Sequence, residues 1–89
     1  MFFDARSAEE FSKGSLPGAH NAPADKLASG GLQKAAGGLL PTTDFNTRIV
    51  LFGRDFTQAR TLADAFSKSP FHNVTYFPGT FETLRAAIK

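Results

Sequence analysis

The fold is decided by residues 48–60, which read Arg48-Ile49-Val50-Leu51-Phe52-Gly53-Arg54-Asp55-Phe56-Thr57-Gln58-Ala59-Arg60. After Arg48, the run Ile49 to Phe52 is apolar and contains β-branched and aromatic residues, typical of a strand buried on both faces of a parallel sheet. Apolar residues then recur at the spacing of one helix face, at Ala59, Leu62, Ala63 and Phe66. The stretch therefore predicts a buried strand, a short polar loop and an amphipathic helix. Amides at a helix N-terminus converge on such a loop, so it is a natural place for an anion.

The flanking segments predict further strands. Residues 2–5, Phe-Phe-Asp-Ala, indicate a short buried strand at the start of the chain, and residues 73–77, Asn-Val-Thr-Tyr-Phe, indicate another near the end. Strands that alternate with helices favour a parallel sheet joined by right-handed crossovers. We therefore expect an α/β fold with a central parallel sheet flanked by helices, in a single domain over residues 1–89.

The connecting segments predict helices of unequal strength. Ser7 and Glu10 have the spacing of a capping box, and the helix that they start should end at Gly14. Residues 24–36 predict a weaker helix, because Gly30-Gly31 interrupts it at a cost of about 1 kcal/mol per glycine. A last helix is expected to begin at Phe81, after the Pro78-Gly79 turn.

Composition excludes several classes of function. The chain has no cysteine, which excludes a disulfide, a thiolate metal site and thiol chemistry. His20 and His72 have no ligand partner at metal spacing, so we expect no metal and no cofactor. The formal charge of +2 is spread along the chain without a basic run, and we expect no nucleic-acid partner. No apolar run reaches the ~20 residues of a membrane span, so we expect a cytoplasmic domain.

Two blocks of sequence resemble a known family. Residues 4–11 read DARSAEEF and residues 14–23 read GSLPGAHNAP. These blocks resemble the rhodanese-like domain, which has an Asp-x-Arg strand end, a Ser-x-x-Glu-Phe helix and a Pro-Gly-Ala turn leading to Asn-x-Pro. The segments 49–52 and 73–81 are similar to the family's later strands and turns. The resemblance implies a rhodanese-like three-layer domain that is N-terminally short, because the family usually has another strand and helix before Asp4.

The loop after residue 52 departs from the pattern of the active family members. Those members use a cysteine at the strand end, which takes up sulfur as a persulfide, and a loop of amides closed by an arginine five residues later. Here Gly53 stands at the nucleophile position and Gln58 at the arginine position, and Asp55 adds a negative charge. The resemblance therefore implies a sulfurtransferase fold without its nucleophile, and we expect no catalysis.

Three hypotheses of function follow. The first is a catalytically inactive rhodanese-like domain that acts as a protein-interaction or regulatory module, with another protein or a neighbouring domain as its partner. The second is binding of a small anion or metabolite at the loop 53–60. The candidate ligand residues of that loop are Arg54, Asp55, Phe56, Thr57, Gln58 and Arg60. The third is a residual enzyme that uses Asp55 or Thr57 as nucleophile, although a helix N-cap explains Asp55 better.

Several side chains have both a structural and a functional interpretation. Phe56 either fills the former pocket or is exposed as a partner contact, and we expect it to fill the pocket because burying a phenylalanine is worth about 2–3 kcal/mol. Arg6 could bind a substrate, but we expect an ion pair with Glu9 or Glu10 in the next turn. Arg54 and Arg60 are expected to be solvated unless an anion is bound.

Overall fold

The computed structural model describes the backbone of residues 1–88 and the side chains of residues 1–87, and strands alternate with helices throughout this part of the chain. The strands are β1 (Phe2–Asp4), β2 (His20–Asn21), β3 (Ile49–Phe52) and β4 (Val74–Tyr76). The α-helices are α1 (Ala8–Ser12), α2 (Leu27–Ala35), α3 (Phe56–Ser67) and α4 (Phe81–Ile88), and a short 3-10 helix (Ala24–Lys26) precedes α2. None of these helices has both the length and the apolar character that crossing a lipid bilayer requires.

The four strands form one parallel sheet in the order β2-β1-β3-β4. Phe3 lies between His20 and Leu51, and Leu51 in turn pairs with Tyr76. The chain leaves β1 toward one edge of the sheet and leaves β3 toward the other edge. The order therefore reverses between β1 and β3, and ligands of open α/β sheets bind outside the carboxyl ends of the strands at such a point. The predicted parallel α/β sheet is confirmed.

Helices cover the sheet on both faces and create two apolar clusters. The larger cluster lies under α2 and α3, where Phe3, Leu51 and Phe66 are fully buried. The smaller cluster lies on the opposite face, where Phe52 and Phe81 stack with ring centroids 6.1 Å apart. Successive residues of β3 point to opposite faces, so neighbouring positions of one strand supply both clusters. The three-layer architecture agrees with the expected fold class.

The predicted interruption of the second helix is confirmed at Gly31. Its φ of 74° and ψ of −170° are not helical, and they break α2 within its length. A residue with a Cβ is disfavoured at this positive φ, so a glycine is needed there. The helix can thereby turn and still bury Ala35 and Ala36 against the core.

A buried ion pair fixes the carboxyl end of β1. The Nε of Arg6 donates to both carboxylate oxygens of Asp4, at 3.0 and 3.1 Å, and its Nη2 donates to Asp4 Oδ2 at 2.9 Å. The same Nη2 donates to the carbonyl of Gly14 at 2.6 Å, and Ser15 Oγ donates to Asp4 Oδ2 at 2.8 Å. The guanidinium also lies 3.6 Å from the ring centroid of Phe81. One pair of charges thus connects β1, the segment after α1 and the start of α4.

The expected partner of Arg6 was wrong. Asp4, rather than Glu9 or Glu10, pairs with it, because the Asp4 carboxylate is fully buried and an unpaired buried charge would be costly. Glu9 instead makes an exposed pair with Lys13. Glu10 belongs to the helix cap, in which its amide donates to Ser7 Oγ at 3.2 Å.

Replacing Arg6 with methionine tests how much the pair of Asp4 and Arg6 contributes to the stability of the domain. Arg6→Met leaves the buried Asp4 carboxylate without its counter-charge, and we expect the free energy of unfolding to fall by about 3–5 kcal/mol. Lys13→Met is the matched control, because it breaks an exposed pair and should cost less than about 1 kcal/mol. Urea unfolding followed by circular dichroism measures both. Similar, small losses in the two variants would contradict a structural role for the buried pair.

Candidate functional site at the carboxyl end of the sheet

The loop between β3 and α3 lies at the point where the strand order reverses. The amide of Ala5 donates to the carbonyl of Phe52 at 2.8 Å, so the ends of β1 and β3 are in direct contact. The carbonyl of Arg54 accepts from the amide of Phe81 at 3.2 Å, which holds the loop against the start of α4. The sequence thus places its candidate loop where α/β folds commonly hold ligands.

Asp55 is the N-cap of α3, as its sequence position predicts. It has an extended backbone, with φ of −154° and ψ of −179°, and its Oδ1 accepts from the amide of Gln58 at 3.0 Å. A carboxylate at this position satisfies a first-turn amide and interacts favourably with the helix dipole. The charge that a bound anion would otherwise supply to the helix N-terminus is therefore already present in the chain.

The side chain of Gln58 forms a hydrogen bond across the loop. Its Oε1 accepts from the amide of Arg54 at 2.8 Å, so a backbone donor of the loop is occupied by a side chain of the same loop. The glutamine bonds the amide of Arg54, one residue before the cap, and this direction could not be inferred from spacing alone.

Gly53 is matched to the position of Gln58. A Cβ built on Gly53 would lie 3.0 Å from Gln58 Oε1 and 3.2 Å from both Gln58 Cβ and the amide nitrogen of Ala59. These distances are tighter than ordinary contacts, so any side chain at position 53 requires Gln58 and the backbone at Ala59 to shift slightly. Space, rather than an unusual backbone conformation, is what favours glycine here.

The loop presents no activated nucleophile. Gly53 has no side chain, and an oxygen of Asp55 is engaged as the cap. Among the described residues, no histidine or carboxylate forms a hydrogen bond with the hydroxyl of Thr57, so it lacks the adjacent base that activates such a group. The side chains of Arg54 and Arg60 are exposed. Binding of an anion by these residues stays a prediction, and an incoming anion would meet Asp55 and compete with Gln58.

Phe56 does not fill the former pocket, and that expectation was wrong. Its side chain is 40% exposed, and its ring centroid lies 6.0 Å from that of Tyr76, which is 36% exposed. The guanidinium carbon of Arg60 lies 5.9 Å from the Phe56 ring, within the range of a cation–π interaction. Phe56 is the first residue of α3 and contacts the edge strand β4, beyond the buried part of the helix. We call Phe56, Arg60 and Tyr76 the aromatic surface.

The histidines are used in local contacts. His20 packs beside Phe3 with ring centroids 5.8 Å apart, and His72 Nε2 lies 3.0 Å from Asn46 Oδ1. In the part of the chain that the structure describes, no group of three or more His, Asp or Glu side chains could hold a metal ion.

Sequence reasoning missed one member of the site, Tyr76. The sequence predicts only that it lies in a strand, because period-2 alternation does not reveal whether an edge strand is covered. The position of β4 at the sheet edge exposes it. An aromatic residue in the strand that follows α3 was the only available signal.

Comparisons with known proteins agree with this architecture. The family described as the rhodanese-like domain matches residues 1–87. Among solved structures, the human single-domain sulfurtransferase TSTD1 is similar, with a TM-score of 0.73 and 20% sequence identity over 96% of this chain and 80% of that chain. At this identity the likeness concerns the fold alone. None of the curated proteins with which the chain was compared matches it.

Proposed function

Since the chain belongs to the rhodanese-like domain family and contains no cysteine, we propose that it is a catalytically inactive member that acts as a protein-interaction or regulatory module. Sulfurtransfer in this fold proceeds through a persulfide on a cysteine at the strand end. This chain has Gly53 there and no other thiol to replace it. Its partner in this proposal is another protein or a neighbouring domain.

The observation that carries the proposal is the hydrogen bond from the Arg54 amide to Gln58 Oε1. A loop that binds sulfur oxyanions must offer its amides to the ligand, whereas this loop uses an amide to hold its own glutamine. Loss of the nucleophile alone would leave an open anion site. Closure by Gln58 and capping by Asp55 favour a role that does not depend on a small ligand in the loop.

The aromatic surface supports the interaction role. Aromatic residues and arginine are enriched at the centres of protein interfaces, where their large apolar area is buried at a low cost in conformational entropy. Phe56 and Tyr76 expose their rings side by side, and Arg60 adds a cation next to them. Tyr76 also belongs to β4, whose outer edge has no neighbouring strand among the described residues. We propose that a partner covers Phe56 and Tyr76.

The absence of catalysis is tested in a thiosulfate:cyanide sulfurtransferase assay with an active sulfurtransferase as positive control. We expect thiocyanate formation no higher than that of the heat-denatured protein, because no thiolate can accept the sulfur. Turnover clearly above the denatured control would remove the proposal of an inactive domain.

The interaction role is tested by comparing two exposed positions. Phe56→Ala removes a ring from the aromatic surface, and we expect binding of a partner captured from an extract of the source cells to weaken by roughly thirtyfold, as for an interface anchor worth about 2 kcal/mol. Leu39→Ala is the matched control, because Leu39 is 49% exposed and lies outside this surface. Circular dichroism should report both variants as folded.

Equal retention of all captured proteins by the wild-type chain, Phe56→Ala and Leu39→Ala would contradict the proposed surface. Loss of binding in Leu39→Ala alone would place the interface elsewhere on the domain.

A further inference from the structure

A cavity of about 370 Å³ lies between the end of α1 and the start of α4, apart from the loop 53–60. It is placed near the carboxyl end of β1, on the face of the sheet that holds the smaller apolar cluster. Its walls include Arg6, Glu10, Lys13, Phe81, Glu82 and Arg85. Five of these six side chains are ionisable, so the cavity is suited to a charged ligand.

Arg6 supplies a fixed donor at the wall of this cavity. Its side chain is only 9% exposed, and its Nε and Nη2 are held by Asp4 and by the carbonyl of Gly14. Its Nη1 forms no hydrogen bond with any described residue. In the described part of the chain, every side-chain nitrogen or oxygen that is buried has a hydrogen-bond partner, so an atom without one is accessible to solvent. Nη1 is therefore not fully buried, and it belongs to a side chain that lines the cavity.

The contacts of the Arg6 guanidinium with its neighbours hold Nη1 in a fixed position before a ligand binds. The carboxylate of Asp4 holds one edge of the guanidinium, and the ring of Phe81 lies 3.6 Å from its carbon atom. A guanidinium presents its N–H groups in a fixed, planar geometry that matches an oxyanion. An oxygen of a ligand can therefore bind Nη1 without the loss of side-chain freedom that an exposed arginine would incur.

The other charged groups of the cavity have both signs. Lys13 and Arg85 are exposed cations, of which Lys13 also pairs with Glu9, and Glu10 and Glu82 are carboxylates on the same two helical segments. Within the described residues, neither Glu10, Glu82 nor Arg85 forms an ion pair. A ligand with a single negative charge would meet attraction from one set and repulsion from the other.

We propose that this cavity binds a small zwitterion that carries one carboxylate and one ammonium group, as a free α-amino acid does. The carboxylate is bound by Nη1 of Arg6 with Arg85 or Lys13. The ammonium group is bound by Glu10 and Glu82. Inorganic oxyanions are a poorer match, because they place negative charge next to both glutamates without providing a cation for them.

This site is independent of the proposed interaction role. It lies on the side of the sheet opposite α3, and it shares none of its charged groups with the loop 53–60 or with the aromatic surface. Ligand binding in the cavity and partner binding at Phe56 can therefore each fail without the other.

The test is a separate titration of the wild-type chain with L-alanine, with propionate and with phosphate. Binding is monitored through the NMR chemical shifts of the backbone amides. We expect alanine to shift the amides of Gly14, Phe81 and Glu82 with a dissociation constant on the order of millimolar, which is reasonable for so small a ligand. Propionate and phosphate should bind more weakly at the same amides.

Two variants and a control test which side chains bind the carboxylate and the ammonium group of the ligand. Arg85→Gln should weaken the binding of alanine by about fivefold, in line with a partly solvated ion pair. Glu82→Gln should remove the preference for alanine over propionate. Arg54→Gln in the loop 53–60 is the matched control and should leave both affinities unchanged. Arg6 itself is left intact because its loss is expected to destabilise the domain strongly, and this would obscure an effect on binding.

Three results would overturn the proposal. The first is the absence of saturable shifts at Gly14, Phe81 and Glu82 with alanine. The second is binding of phosphate or propionate as tight as that of alanine, which would indicate a plain anion site. The third is a larger effect of Arg54→Gln than of Arg85→Gln, which would place the ligand in the loop.

Discussion

The buried pair of Asp4 and Arg6 is the interaction on which the functional end of the sheet depends. Neither charge is tolerable alone in this position, because burial removes the solvation of both. Together they join the end of β1 to the carbonyl of Gly14 and to the ring of Phe81. The amide of Phe81 in turn bonds the carbonyl of Arg54, so the loop after β3 is held indirectly by the same pair. The same ion pair therefore holds both the loop 53–60 and the wall of the cavity beside α1.

Within this arrangement the loop satisfies its own backbone groups with side chains of the chain. The carboxylate of Asp55 caps the helix and the amide oxygen of Gln58 bonds the Arg54 amide, so charge and hydrogen bonds that an anion could supply are internal. Gly53 and Gln58 are coupled, because a Cβ at position 53 would come within 3.0 Å of Gln58 Oε1. The glycine at position 53 is therefore matched to its surroundings, because Gln58 and the backbone of Ala59 occupy the space that a side chain would need.

Local patterns predicted the elements of this fold and failed at side chains whose surroundings are set by distant parts of the chain. The strand at 49–52, the buried face of α3 and the break at Gly31 follow from periodicity and backbone preference, which act over a few residues. Arg6 was assigned to the nearest glutamates in sequence, although the burial of Asp4 decides its partner. Phe56 was expected to be buried, but its exposure depends on β4, eighteen or more residues later, ending the sheet at that edge.

The closure of the loop by Gln58 is tested most directly by restoring a thiol. Gly53→Cys and the double variant Gly53→Cys/Gln58→Ala are incubated with thiosulfate, and mass spectrometry measures the gain of one sulfur atom as sulfite is released. We expect little persulfide in the single variant, where Gln58 competes for the space and for the Arg54 amide, and clearly more in the double variant. Equal and near-complete conversion of both variants would contradict a loop closed by Gln58.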